Sequence, residues 1–370
     1  MNEEIIQKQQ RAMTREGLDA LISSSPENLA YTVGFVVPSQ LLMRWRHAMC
    51  IVTESGRTTM LTIDMEETTV RAHVTLDQLH VYREFTDNPI LELTHALMAQ
   101  GLGSSTIGLE MDYLSAQDYQ TLYQAMPQAT FVPADTIFRK LRQVKTMSEV
   151  DTLRTLSRIT DSAIGATLSE AMPGMTELEL AGQLTGRIFS EGADDFKLMI
   201  IASGERSQYP NVGPTAKKLV AGDLIRMEIF GVRNGYHAGV CRTAVMGPPT
   251  TEQTQIWHNL IECKHLVMKM IKPGANARQI YERFLQKFAE LGLEPISFVG
   301  HGIGVDLHEE PYLGRYGDST LEAGMVLAIE PLVYIPGRMG LQNKDMLLVT
   351  DDGCELLSDV TPTEALIEIG

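Results

Sequence analysis

Much of what would send a chain to a membrane, a nucleic acid or an oxidising compartment is missing here. No apolar run approaches the roughly 20 residues that a membrane helix needs. The N-terminal MNEEIIQKQQRAM has none of the apolar core of a secretory leader. A cytoplasmic protein is the expectation. Only four cysteines occur, Cys50, Cys241, Cys263 and Cys354, scattered and without the paired spacing of a thiolate metal site, so reduced thiols are expected. Bases are scarce: 31 Lys and Arg against 47 Asp and Glu give a net charge of −16, with no basic cluster to offset it. A field of that sign repels phosphate backbones and anionic lipid surfaces. Neither nucleic acid nor membrane is therefore expected as a partner; a small molecule is. Short repeats and low-complexity linkers are absent too.

The 370 residues, 44% hydrophobic and 21% charged, have ordinary globular composition but exceed one ordinary core. Residues 5–17 carry a helical apolar face (Ile5, Ile6, Met13) ending at Gly17, followed by the strand-length LDALISSS and a turn at Ser25-Pro26-Glu27-Asn28. CIVTESGRTTMLT reads as a hairpin around Ser55-Gly56, and TIGLEMD and ATFVPA suggest further strand–helix alternation. A charged, then helical, stretch follows, in which Thr146 and Glu149 have the spacing of a capping box. The domain boundary is expected near 138–145, giving residues 1–140 as a small α/β domain and 141–370 as a larger one. In the second half, helical patterns at 146–171, 176–192, 251–271 and 275–291 alternate with strand-rich blocks at 196–203, 217–247, 294–304 and 324–350, which reads as α+β.

Carboxylates and histidines sit where strands want apolar residues. Glu228 interrupts RMEIFGVRNGYHAGVCRT, and Glu330 interrupts AGMVLAIEPLVY; each is a costly burial unless something binds it. Gly300, Gly302 and Gly304 around His301 allow a backbone to pass close to a site. His301 alone would read as a satisfied core histidine. With Glu228, His308 and Glu330 in comparable settings it reads as part of a site.

Several segments together resemble the creatinase/prolidase/methionine aminopeptidase superfamily. They are QRAMTREGLDALISSSPENLAYTVGF, VAGDLIRMEIFGVRNGYHAGVCRT, FVGHGIGVDLHEEPYL, LEAGMVLAIEPLVYIPG and GLQNKDMLLVTDDGCELLS, in order over nearly the whole chain. The resemblance implies an α+β pita-bread catalytic domain preceded by a smaller α/β creatinase-type N-terminal domain. Metal-binding members use two Asp, one His and two Glu. Carried over, these fall on Glu228, Gly239, His301, Glu330 and Lys344. Gly239 has no side chain, and Lys344 is a cation. Asp345 beside it is no substitute, because adjacent strand residues face opposite ways. The resemblance thus implies the family's metal-free branch: no metal and no cofactor. A catalytic histidine that aminopeptidases and creatinase carry falls on Asn211, leaving Tyr209, His237, His301 and His308 as replacements.

Within that branch the chain is most similar to ectoine hydrolases, with creatinase second. This implies hydrolysis of a C–N bond in a small zwitterionic amidine, with ectoine opened to an N-acetyl-diaminobutyrate. On that expectation Glu228 attacks the amidine carbon or activates a water, and His301 and His308 carry protons. Glu330 binds the amidinium, while Lys344 and Arg315 receive a carboxylate. Tyr236 and His237 are divided between pocket and hairpin surface, and Cys241 is expected to pack. Trp45 and Arg46 fall where creatinase-type homodimers reach into a neighbour's site. The alternatives are an Xaa-Pro dipeptidase or aminopeptidase, a creatine amidinohydrolase-like enzyme, and a non-catalytic pita-bread binding module.

Overall fold

The computed structural model describes residues 3–294 and 296–370. Two compact units divide between Arg142 and Gln143.

The first unit is built on a six-stranded mixed sheet in the order Gln78–Tyr82, Thr58–Ile63, Met49–Thr53, Ala20–Ser23, Thr106–Leu109, Thr130–Pro133. The Ser55-Gly56 hairpin forms, with Met49–Thr53 antiparallel to Thr58–Ile63. Gly56 takes the left-handed φ of 84° that such a turn needs. Ile22, Ile51, Leu61 and Ile107 from the sheet close a core with Leu93 and Leu97 of the helix Pro89–Ala99.

The second unit carries the helices α1 (Met147–Ser169), α2 (Glu177–Ser190), α3 (Thr251–Met270) and α4 (Ala277–Glu290). The Thr146–Glu149 capping box forms at the start of α1, and matching boxes start α2 at Thr176 and α3 at Thr250. Its strands are β1 (Asp195–Ser203), β2 (Leu224–Arg233), β3 (Tyr236–Met246), β4 (Phe298–Gly302), β5 (Glu309–Gly314), β6 (Val326–Ile329), β7 (Leu332–Ile335), β8 (Met339–Gln342), β9 (Asp345–Val349), β10 (Cys354–Leu356) and β11 (Ile367–Ile369). One sheet runs β11-β3-β2-β1, a second β5-β4-β6-β9-β10, and β7 pairs with β8 alone.

Two strand-rich blocks read from the sequence resolve more finely. Residues 217–223 are not strand, and 324–350 break into four short strands around Glu330-Pro331 and the residues before Asp345. Proline supplies no N–H to a ladder, which accounts for the first break. Strand β5 was not expected. Its residues Glu309–Gly314 mix charge, proline and aromatics without alternation, and pairing with β4 is what makes them a strand. Helices α3 and α4 bury Trp257, Phe284 and Phe288 against Val299, Leu327 and Leu347. This apolar backing holds the two larger sheets in place where their polar residues meet.

Candidate active site

Strand β2 has side-chain period two, so Arg226, Glu228 and Phe230 share a face. On β3, Cys241 lies opposite Glu228, Gly239 opposite Phe230 and His237 opposite Val232. Backbone bonds then stitch the sheets together at this level: Cys241 N–H donates to the Lys344 carbonyl at 3.2 Å, and Lys344 N–H to the Cys241 carbonyl at 3.1 Å. The bridge delivers the Lys344 side chain beside Glu228. It sends Asp345 the other way, to Arg242 at 2.9 Å and Lys264 at 2.7 Å.

Lys344 is 1% exposed. Its Nζ lies 3.1 Å from Glu228 Oε1 and 3.3 Å from Glu330 Oε2. It also sits over the Phe230 ring, 4.4 Å from the centroid, where the negative face of the π system favours a cation. Burial opposes the Lys344 charge, but Glu330 and Glu228 outweigh it and hold the ammonium's pKa above the usual lysine value. Burial likewise opposes ionisation of Glu330, yet Lys344 and His301 bring its pKa down to about 2. Gly239 is needed for this seat. A Cβ there would stand 2.4 Å from the Phe230 ring, so the ring occupies the space in which a side chain at 239 would lie.

His301 comes from β4. Its Nδ1 contacts the Gly302 carbonyl at 2.8 Å; that oxygen can only accept, so Nδ1 carries hydrogen. Its Nε2 lies 3.1 Å from Glu330 Oε1, a contact that is attractive when Nε2 is protonated too. His308 stacks on His301 with centroids 3.6 Å apart and planes 13° apart, and keeps an exposed edge. Burial, together with the nearby His301 and Lys344, lowers the His308 pKa to about 4, so the ring is neutral near pH 7. Phe298 stands edge-on to both rings. Phe298 and Tyr312, which flank His308, also line a cleft of about 980 Å³ with Tyr281, Arg315 and Tyr316.

Four residues of this neighbourhood escaped the sequence reading: Arg226, Phe230, Tyr334 and Gln342. The fully buried Arg226 donates to Tyr334 Oη at 2.7 Å, to Gln342 Oε1 at 2.9 Å and to the Pro210 carbonyl at 2.9 Å, and also bonds the Tyr209 carbonyl. Gln342 in turn donates to Glu330 Oε2 at 3.2 Å. Arg226 thus ties the 209–210 loop, next to the exposed Asn211, to the carboxylate centre. The signal was there: a second charge two residues before Glu228 in an apolar strand must share its face.

The structure brings Glu228, His301, His308 and Glu330 together and corrects several roles. Lys344 does not wait for a substrate carboxylate, since its ammonium already holds two internal ones. For the same reason Glu330 does not present a free anion to an amidinium. Tyr236 points away from this face and bonds Glu149 on α1 at 3.1 Å. His237 is on the site's face but buried, with Nδ1 3.2 Å from the Gly304 carbonyl. Cys241 is fully buried, and burial with Glu228 nearby pushes its thiol's pKa far up. In the first unit, Arg46 pairs with Glu84 at 2.7 Å, while Trp45 is exposed.

A pita-bread unit whose carboxylates and histidines meet where its sheets are stitched, preceded by a creatinase-type domain, defines a hydrolase of the creatinase/prolidase class. The comparisons make the assignment specific. Residues 151–351 match metallopeptidase family M24, and residues 5–144 match the creatinase/prolidase N-terminal domain. The chain belongs to family M24. It is 30% identical to the Xaa-Pro dipeptidase of Pyrococcus furiosus over 69% of its own length and 74% of that protein's. It is 26% identical to an uncharacterised peptidase of Bacillus subtilis over 95% of this chain and 96% of that one. Among solved structures, the Xaa-Pro dipeptidase from Bacillus anthracis superposes with a TM-score of 0.86 at 26% identity, covering 99% of both chains. These relatives are peptidases and dipeptidases. They overturn the expectation of a non-peptide amidine hydrolase acting on ectoine.

Family M24 implies divalent metal, and the residues present do not fit it. Both buried carboxylates are held by one ammonium, and position 239 offers no ligand. His301, His308 and Glu330 do place donor atoms within 4.8 Å of one another. Imidazole lone pairs lie in the ring plane, however, so two rings stacked 3.6 Å apart and nearly parallel cannot both aim at one ion. An ion on Glu330 would also face the Lys344 charge 3.3 Å from that carboxylate.

Proposed function

We propose that the protein hydrolyses a peptide C–N bond in a small substrate, with Xaa-Pro dipeptides as the representative class, and does so with its own side chains instead of a divalent ion. One observation carries this reading. Glu228, His301 and Glu330 cluster in one buried centre within the residues that match family M24, with the Lys344 ammonium bound to both glutamates.

Glu228 and Glu330 share the Lys344 ammonium, while the buried Arg226 guanidinium on the same strand face is held by Tyr334, Gln342 and the Pro210 carbonyl. Glu228 takes a proton from the attacking water as oxygen bonds to the carbonyl carbon. The Lys344 charge, in a site removed from bulk water, favours the oxyanion that develops. His308, neutral above a pH of about 4, relays the proton to the departing nitrogen as the C–N bond breaks. Glu330 and the Gly302 carbonyl orient His301 beneath it. Asn211, exposed on the loop tied by Arg226, and Arg315, on the cleft wall, bind the remainder of the substrate. The proposal extends to a homodimer in which Trp45 and Arg46 approach the neighbour's site.

Hydrolysis of Ala-Pro and Gly-Pro, with EDTA or with added Mn²⁺, tests the reading. Equal turnover under both conditions is expected. Strict dependence on Mn²⁺ overturns the metal-free part. No cleavage across a panel of Xaa-Pro and other dipeptides overturns the hydrolase. It then favours a pita-bread module that binds peptide without cutting it, a reading the mutual neutralisation of Lys344, Glu228 and Glu330 also supports.

A further inference from the structure

We infer that the cleft beside His308 receives the residue on the leaving side of the scissile bond, and that it favours an aromatic amino acid there over proline. The inference deepens the hydrolase reading above and rests on it.

The order of contacts decides which end of the substrate reaches the cleft. Lys344 joins Glu228 to Glu330, and Glu330 lies 3.1 Å from His301 Nε2. His308 stacks on the His301 ring and keeps an exposed edge. A carbonyl carbon attacked beside Glu228 therefore turns its departing nitrogen towards His308, which supplies the proton. Whatever that nitrogen carries continues past the His308 ring. There Phe298, with its ring centroid 6.0 Å away, and Tyr312, 6.4 Å away, flank the imidazole and lead into the cleft of about 980 Å³.

Three features of the cleft select the occupant. Its walls are aromatic: Tyr281 from α4, Phe298 from β4, Tyr312 from β5 and Tyr316 beyond it. Aromatic rings prefer one another offset or edge-on, with centroids about 4.5–7 Å apart. Phe298 and Tyr312 already stand so around His308, with planes at 71° and 47° to it, and a substrate ring extends that row. The second feature is size. Small-molecule sites run from about 300 to 1,000 Å³, and a proline ring would leave most of this aromatic wall in water. The third is charge. Arg315 makes no ion pair among the described residues, whereas Asp318 is taken by Arg278 at 2.5 Å and Glu310 accepts from Gln143 at 2.8 Å. A leaving amino acid brings the carboxylate that answers this guanidinium.

The test is kcat/KM of the full chain for Ala-Phe, Ala-Tyr and Ala-Pro, in wild type, Tyr312→Ala and Tyr312→Phe. Each protein is judged by its ratio of aromatic to proline substrate on one sample, which does not depend on the folded fraction. Wild type is expected to favour Ala-Phe by about tenfold or more, the scale on which an apolar pocket discriminates, chiefly through KM. Tyr312→Ala should lower the ratio about tenfold, and Tyr312→Phe, which keeps the ring, should retain it. If Ala-Pro is cleaved as well as Ala-Phe, or if the ratio survives Tyr312→Ala, the inference fails while the hydrolase stands. If no dipeptide is cleaved, the hydrolase reading fails and the inference with it.

Discussion

Two buried ion clusters lie back to back in the second unit, and they are built to different rules. Behind the strands, Arg242 pairs with Asp161 at 3.0 Å and Asp345 at 2.9 Å, and Lys264 pairs with Asp345 at 2.7 Å. Two cations meet two anions. The remaining hydrogen-bonding capacity is taken up by backbone and neutral side chains: Arg242 donates to the Cys241, Lys344 and Ser358 carbonyls, Asp161 accepts from Val360 and Thr361 N–H, Asp345 accepts from Asn343 and Ser358, and Lys264 donates to Thr363. In front, one lysine serves two glutamates, a histidine nitrogen lacks an aligned partner among the described residues, and the neighbouring His308 opens to solvent. The consecutive residues Lys344 and Asp345 divide between the two clusters. A balanced cluster with every donor placed serves the fold. A cluster with an edge open to solvent keeps capacity for a ligand.

Substitutions that break each cluster should separate these roles, and the largest effect is expected in front. Glu228→Gln should lower kcat/KM by about 10²- to 10⁴-fold, the usual scale for removing a group that moves a proton, with a native circular dichroism spectrum. Asp161→Ala should do the opposite. It leaves Arg242 and Lys264 sharing the single carboxylate of Asp345, one buried charge uncompensated, and should cost about 3–5 kcal/mol of unfolding free energy, read by urea denaturation, with kcat per folded molecule nearly unchanged. If Asp161→Ala removed activity from folded protein, the division between the clusters would be wrong.

Acid titration sharpens the same contrast. The Glu330 pKa in the folded protein, about 2, lies below its ordinary 4.5, so its stabilisation is complete above pH 4.5 and is lost as pH falls towards 2. Lys344 is raised above 10.5, so its contribution holds below that pH and fades as alkali passes the raised value. Buried His237, lowered to about 4 chiefly by desolvation, stabilises fully above 6.5 and less as pH falls to about 4. Tm measured against pH should therefore lose slope between 4.5 and 2 in Glu330→Gln, and between 6.5 and 4 in His237→Asn. The smallest effect is expected for Arg226→Lys. A lysine cannot reach two loop carbonyls, Tyr334 and Gln342 together, so KM should rise about tenfold, about 1.4 kcal/mol, with kcat within twofold. Equal falls in kcat for Lys and Met at 226 would assign Arg226 to the chemistry instead of the loop.

The two-domain architecture was legible because period-two and helical apolar patterns, caps and glycine turns all act locally. Glu228 and Glu330 stood out as charges in apolar strands, and the glycines marked His301. What the sequence could not display was pairing across sheets. That Lys344 meets Glu228 depends on a two-bond bridge at Cys241, over a hundred residues away in the chain. Lys344 was therefore assigned to a substrate carboxylate, although two internal ones already hold it. Tyr236 stayed divided between pocket and hairpin surface; strand alternation from Glu228 through the β2–β3 register places it on the far face. The substrate was misjudged because ligand loss alone does not choose between peptide and amidine, which share a planar, electrophilic C–N unit.

The central claim is that a lysine ammonium does the work of a divalent ion in this M24 chain. Its most direct test is elemental analysis of wild-type protein dialysed first against Mn²⁺ and then against metal-free buffer, with dipeptide turnover measured on the same sample. Far less than one divalent ion per chain with undiminished turnover is the expected result. One or two retained ions per chain, with turnover lost on their removal, would contradict the account.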